Sequence, residues 1–206
     1  MQIGIDFDNT IVSYDSLFHK IALEKNLIPH GIKVNKNAVR DYLREINNED
    51  AWTELQGYVY GLRMNEANAY QGLLSKLKEL KNNKHEFFIV SHKTQFPFMG
   101  PKYDLHEAAK KWIKINLQDK KNMLIDPGNV FFEVTKDAKI DRIKKLNLDF
   151  FIDDLPEILN HSNFPTSVTP ILYDPEDNFP QSTFQNLKRL NNWGDLNFLI
   201  NRFQDE

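Results

Sequence analysis

The chain has 206 residues, of which 27% are charged and 41% hydrophobic, and its formal net charge is −3. That balance belongs to a globular protein with room for one sizeable core, or a core carrying a modest insertion. The absence of cysteine excludes disulfides, thiol catalysis and cysteine-ligated zinc, the slight acidity offers no basic field for nucleic acid, and no apolar run approaches a membrane span.

In chain order, Ile3, Ile5 and Phe7 predict a short buried strand that runs into Asp6-Phe7-Asp8-Asn9-Thr10. Helical spacing follows over Ser16–Asn26, with Leu17, Phe18, Ile21, Ala22 and Leu23 apolar, until Pro29 and Gly31 break it. Further helices are predicted over Lys36–Ile46, after Glu49 with Trp52, Tyr58 and Tyr60, and over Glu66–Lys81. A simple crossover between parallel strands needs only about a dozen residues. The all-helical stretch 14–84 is far longer, so part of it is expected to be a separate helical cap domain, with 1–13 and 85–206 forming the core domain. The aromatic residues of the third helix are expected to pack the cap interior.

Glu86–Val90 is the next predicted strand, ending at Ser91. The loop Ser91–Pro101 mixes His92 and Lys93 with Phe96, Phe98 and Met99. A helix is expected over Asp104–Leu117, and strands over Asn129–Val134, Asp149–Ile152 and Thr169–Tyr173. Thr135 is a good N-cap for a helix carrying Ile140, Ile143 and Leu146. Leu187, Leu190, Trp193, Leu196, Leu199 and Ile200 predict a C-terminal helix, with Gly194 a candidate break in it. Strands alternating with helices give an α/β fold, a doubly wound parallel sheet. Ligands of such sheets bind beyond the carboxyl ends of the strands, where Asp6, Ser91 and Asp153 all fall.

Two of those strand ends carry paired acids. Asp6, Asp8 and Thr10 recur at a spacing of two, which in a strand directs side chains to one side. Asp153 and Asp154 end the apolar run of Phe150, Phe151 and Ile152, with Glu157 just beyond. Carboxylates gathered at a buried strand tip need a proton or a cation. The cation suited to hard oxygen ligands is Mg²⁺.

These residues resemble the haloacid dehalogenase (HAD) superfamily. DFDNT looks like its first motif, Ile89-Val90-Ser91 its second, a lysine after Thr135 its third, and Ile152-Asp153-Asp154 its fourth, all in the superfamily's order. The resemblance implies a Rossmann-like core with a cap inserted after the first motif. It makes Asp6 the nucleophile, Asp8 the acid/base, and Ser91 a ligand of a phosphoryl oxygen. Either Lys136 or Lys139 supplies the lysine, and Lys136 is preferred because it follows the N-cap directly. Asp6, the main-chain carbonyl of Asp8, and Asp153 or Asp154 would hold Mg²⁺. Asn9, Thr10, His92 and Lys93 are the candidate substrate contacts. In the superfamily, dehalogenases lack the second acid because halide leaves without a proton, so Asp8 favours phosphate ester hydrolysis.

The expected function is Mg²⁺-dependent hydrolysis of a small phosphorylated metabolite, a sugar phosphate or a nucleotide, through an aspartyl-phosphate. A phosphotransferase on the same site and a non-catalytic binding or regulatory protein are the alternatives. No nucleic-acid or membrane partner is expected. With no basic segment leading into an apolar one at its start, the chain reads as cytoplasmic. Oligomeric state is left open.

Overall fold

The computed structural model describes residues 1–180 and 187–201. Six strands form one sheet: β1 Gln2–Ile5, β2 Glu86–His92, β3 Val130–Glu133, β4 Phe150–Asp153, β5 Thr169–Tyr173 and β6 Lys188–Leu190. Their spatial order is β6-β5-β4-β1-β2-β3, and every neighbouring pair is parallel. The helices are α1 Asp15–Glu24, α2 Lys36–Glu45, α3 Glu49–Tyr60, α4 Leu73–Asn82, α5 Leu105–Asn116, α6 Lys136–Lys145, α7 Pro156–Leu159 and α8 Leu196–Asn201. Among the described residues, no helix is long and apolar enough to cross a membrane.

The chain divides into two units. The first comprises Met1–Ile11, Ala69–His92 and the described residues from Leu117 onward; it contains the sheet with α4, α6, α7 and α8. The second comprises Val12–Asn68 and Lys93–Asn116, and contains α1, α2, α3 and α5. Here α4 goes with the sheet and α5 with the helical unit, whereas the boundaries expected from the sequence put α4 in the 14–84 segment and α5 in the core.

In the sheet unit, β1 is central and buried, with Ile3 and Ile5 fully inaccessible. From β1 the chain steps outward through β2 and β3, then returns to β4 on the other flank. The strand order therefore reverses between β1 and β4, the place where doubly wound sheets bind ligands. Val90, Phe151 and Leu172 from the strands and Ile140 and Ile143 from α6 form one buried cluster. Gly4 leaves room for the Leu148 and Phe151 side chains. A Cβ there would overlap Leu148 and come within 2.6 Å of the Phe151 ring. Gly4→Ala is accordingly expected to cost about 1–3 kcal/mol through overpacking. Urea unfolding should show a lower midpoint with an unchanged slope.

The helical unit is closed by its own apolar faces. Leu17, Phe18 and Ile21 of α1, Val39 and Leu43 of α2, Trp52 and Val59 of α3, and Ala109 and Trp112 of α5 are all buried. Phe18 and Trp52 meet at 5.1 Å between ring centroids, so Trp52 packs the interior as expected. Asn35 caps α2, its Oδ1 accepting from the Asn37 and Ala38 amides at 2.8 and 3.1 Å. The Trp112 indole donates to the Ala67 carbonyl at 2.8 Å, which satisfies a polar atom that burial would otherwise penalise.

Three predicted elements differ. The helix expected from Glu66 starts only at Leu73, because Gly72 at its N-cap adopts φ 83, a left-handed conformation that interrupts helical propagation. The strand expected to end before Ser91 continues through Ser91 and His92. The single C-terminal helix is replaced by β6, a turn of 3₁₀ helix at Trp193–Asp195 and the short α8. The three-residue spacing of Leu187, Leu190 and Trp193 imitates a helix, whereas Lys188–Leu190 pairs with Ile171–Tyr173 at the sheet edge.

Candidate active site

The site lies at the carboxyl ends of β1 and β4. Ile5 pairs with Ile152, and the Asp6 amide donates to the Ile152 carbonyl at 2.8 Å. Asp6 and Asp153 are thus held side by side by the register of two central strands. Asp6 is 4% exposed and Asp153 is fully buried. Beyond Asp6 the chain turns sharply: Asn9 takes φ 62, and the Ile11 amide donates back to the Phe7 carbonyl at 3.1 Å. Asparagine tolerates the left-handed region better than most residues, which gives Asn9 a conformational reason for its place.

Lys139 completes the cluster. Its ammonium donates to Asp6 Oδ1 at 2.5 Å and to Asp153 Oδ2 at 2.6 Å, and the residue is 1% exposed. Burial works against this ammonium, but the carboxylates of Asp153 and Asp6 outweigh it and hold its pKa above the ordinary lysine value. Burial also acts on Asp6. It raises that carboxyl to about 7, against the opposing pull of Lys139 and with added repulsion from Asp153 and Asp8. Asp153 is fixed further by the Leu155 amide, which donates to its Oδ1 at 3.0 Å.

The lysine that the structure brings to the two acids is thus Lys139, whereas the sequence reading favours Lys136. Lys136 Nζ instead pairs with Glu157 Oε1 at 2.7 Å, with both side chains about half exposed. The reason is directional. Thr135 caps α6 as expected, its hydroxyl accepting from the Ala138 amide at 3.1 Å. Helical side chains lean toward the N-terminus of their helix. A lysine at the first helical position leans past the helix end into solvent, whereas one turn later it leans back over the strand tips. Lys136→Ala is expected to change stability by no more than about 1 kcal/mol, as for an exposed pair; thermal melting checks it.

Asp154 joins the group from the next position. Ligand oxygens of Asp6, Asp153 and Asp154 all lie within 4.8 Å of one another. Three carboxylates carry three negative charges when all are ionised, and the Lys139 ammonium offsets one of them. Hard oxygen donors and that residual charge fit a divalent cation such as Mg²⁺. The fit comes from the donor set itself.

The remaining candidates are placed as follows. Ser91 is 1% exposed in β2, two residues beyond Ile89, the β2 partner of Ile5. His92, half-buried, has Nε2 at 3.2 Å from the Val134 carbonyl. Lys93 belongs to the helical unit, where its ammonium lies 4.8 Å from the centroid of Tyr60. Thr10, expected to touch substrate, is fully buried, and its hydroxyl donates to Asp154 Oδ1 at 3.4 Å. Asp8 sits between the β1 tip and the Asn9 turn, partly exposed, and its charge acts on Asp6.

No protein-family model matches the sequence, and no curated protein matches it. Solved structures match along nearly its whole length. A HAD-superfamily hydrolase from Ehrlichia chaffeensis superposes with TM-score 0.56 at 14% identity, covering 98% of this chain and 97% of its own. A phosphoserine phosphohydrolase-like protein from Francisella tularensis superposes with TM-score 0.58 at 16% identity, covering 97% and 99%. A dehalogenase does so with TM-score 0.59 at 15% identity, covering 97% and 96%. The chain has the α/β fold of the HAD superfamily.

Proposed function

We propose that the protein is a Mg²⁺-dependent phosphatase that hydrolyses a small phosphorylated molecule through an aspartyl-phosphate on Asp6. The observation that carries this reading is the buried Lys139 ammonium shared by Asp6 and Asp153, with Asp154 within coordinating reach. A carboxylate so placed is a nucleophile beside a fixed positive charge at a ligand-binding strand edge.

In this reading an Asp6 oxygen attacks phosphorus, and the bond to the leaving oxygen breaks as Asp8 gives that oxygen a proton. Asp8 then takes a proton from water as the water oxygen attacks the same phosphorus, which frees Asp6 and releases phosphate. Lys139 keeps the Asp6 carboxylate oriented and offsets the charge of the approaching anion. Ser91 donates to a phosphoryl oxygen. Asp6, the Asp8 carbonyl and Asp153 or Asp154 would hold Mg²⁺, which would supply further charge neutralisation. Substrate selectivity is assigned to the helical unit, and Lys93 remains a candidate substrate contact.

Asp8 also bears on the choice of reaction. A halide leaves without a proton, whereas an alkoxide leaving group needs one, so an acid two residues from the nucleophile favours phosphate esters. The test is hydrolysis of an aryl phosphate with Mg²⁺ and with EDTA. The expected result is release of phosphate that requires Mg²⁺. Folded protein that hydrolyses no phosphate monoester in a broad panel, in saturating Mg²⁺, would overturn the reading.

A further inference from the structure

The first acidic tip contributes more to the site than its two carboxylates. We infer that Thr10 is a positioning residue for the metal site: its hydroxyl holds Asp154 in place, and it does not contact substrate. The inference rests on the reading proposed above and adds to it a residue that sets metal affinity.

Three observations carry it. Thr10 has no exposed surface, and the one proton of its hydroxyl is already directed at a carboxylate. Its hydroxyl reaches Asp154 Oδ1 at 3.4 Å, across 144 residues of sequence. Asp154 is one of the three carboxylates whose oxygens gather within 4.8 Å. The bond thus ties the turn after β1 to the turn after β4. The same short turn carries the Asp8 carbonyl, so one hydroxyl bears on the position of two oxygen donors.

The chemistry of the partner matters. Asp6 and Asp153 are anchored by an ammonium, which cancels charge while it orients them. A neutral hydroxyl orients Asp154 without cancelling its charge. A carboxylate meant to hold a cation gains from that kind of support, since only the electrostatic attraction left over is available to the metal. Partners that orient ligating groups in this way typically govern metal affinity by about 10–100-fold.

The experiment is Mg²⁺ titration by thermal shift, in the absence of substrate, with Thr10→Val, Thr10→Ser and Asp154→Asn beside the wild type. Valine keeps the volume and removes the donor; serine restores it. The expected result is a Mg²⁺ midpoint for Thr10→Val about 10–100-fold higher than wild type, recovered most of the way by Thr10→Ser. Rate at saturating Mg²⁺ should stay within a few-fold of wild type, and the KM for aryl phosphate should not move once metal saturates. An unchanged midpoint in Thr10→Val, with Mg²⁺ still stabilising the wild type, overturns the inference and leaves the phosphatase reading standing. A raised KM at saturating metal with an unchanged midpoint also overturns it and returns Thr10 to substrate binding. If Mg²⁺ stabilises neither wild type nor any variant, both the inference and the metal-dependent reading fall. Should Thr10→Val not fold, Thr10→Ser against Asp154→Asn decides: an Asp154→Asn midpoint equal to wild type overturns the inference.

Discussion

Asp6→Asn is expected to abolish phosphate ester hydrolysis, with a loss on the order of 10⁴-fold or more, as for removal of other covalent nucleophiles. The amide keeps the shape of the carboxylate and still accepts from Lys139, so the loss is of chemistry and not of folding. Stability gives an independent check. In the metal-free protein, burial lifts the Asp6 pKa from 3.8 to about 7. Between those values the folded state binds more protons at this group than the unfolded state does. The contribution of Asp6 to stability therefore falls as pH rises from about 4 to about 7, is absent below that range and is fully unfavourable above it. Asparagine does not titrate. In EDTA, the difference in stability between Asp6→Asn and wild type should move in favour of the variant from pH 4 to pH 7 and then level off. Urea midpoints at pH 4.5 and pH 8 measure it. Retention of a tenth of wild-type turnover would rule out Asp6 as the nucleophile.

Lys139→Met is expected to be the most destabilising single change in the site. Methionine has nearly the length of lysine and no charge, so Asp6 and Asp153, at 4% and 0% exposure, lose their shared counter-ion. Removing one side of a buried ionic cluster costs about 3–5 kcal/mol, a large fraction of the 5–15 kcal/mol that typically holds a protein folded. Two conditions should restore part of it. Lower pH protonates Asp6, and Mg²⁺ replaces the missing positive charge by mass action. The double variant Lys139→Met with Asp6→Asn should cost less than the sum of its parts, since the two side chains share one network. Denaturant curves for the two single variants and the double variant give the coupling directly. Additive costs would mean that Lys139 stabilises the fold by packing alone.

The acidic tips were legible because their signal is local: an apolar strand followed at once by carboxylates needs no knowledge of distant partners. The parallel sheet was legible for a similar reason, as strands such as Val130–Glu133 stand between helical stretches. What sequence could not supply was position along an axis. Lys136 and Lys139 follow one N-cap, and spacing to Ile140 and Ile143 suits the first of them; only the lean of helical side chains over the strand tips selects the second. Thr10 shows the same limit. Its spacing from Asp6 and Asp8 places it in the site, but whether it meets a ligand or another carboxylate depends on a partner 144 residues away. At Lys188–Leu190 the pairing strand is an edge of three residues with two basic side chains, short and charged as edges tend to be. It offers no alternation to read, and the neighbouring leucines carry the stronger, helical period.

The central place of β1 has a consequence for how the protein comes into being. Its flanking strands are supplied from residue 86 on one side and residue 150 on the other. Lys139 and Asp6 are separated by 133 residues. A ribosome adding about 5–20 residues per second takes on the order of ten seconds to cover that interval. For that time the nascent strand holds Ile3, Ile5 and Phe7 with at least one flank open, and Asp6 waits without its cation. Such long-range pairing slows folding and leaves strand edges available to other chains. A chaperone that shields the early strand should therefore raise the yield of folded protein.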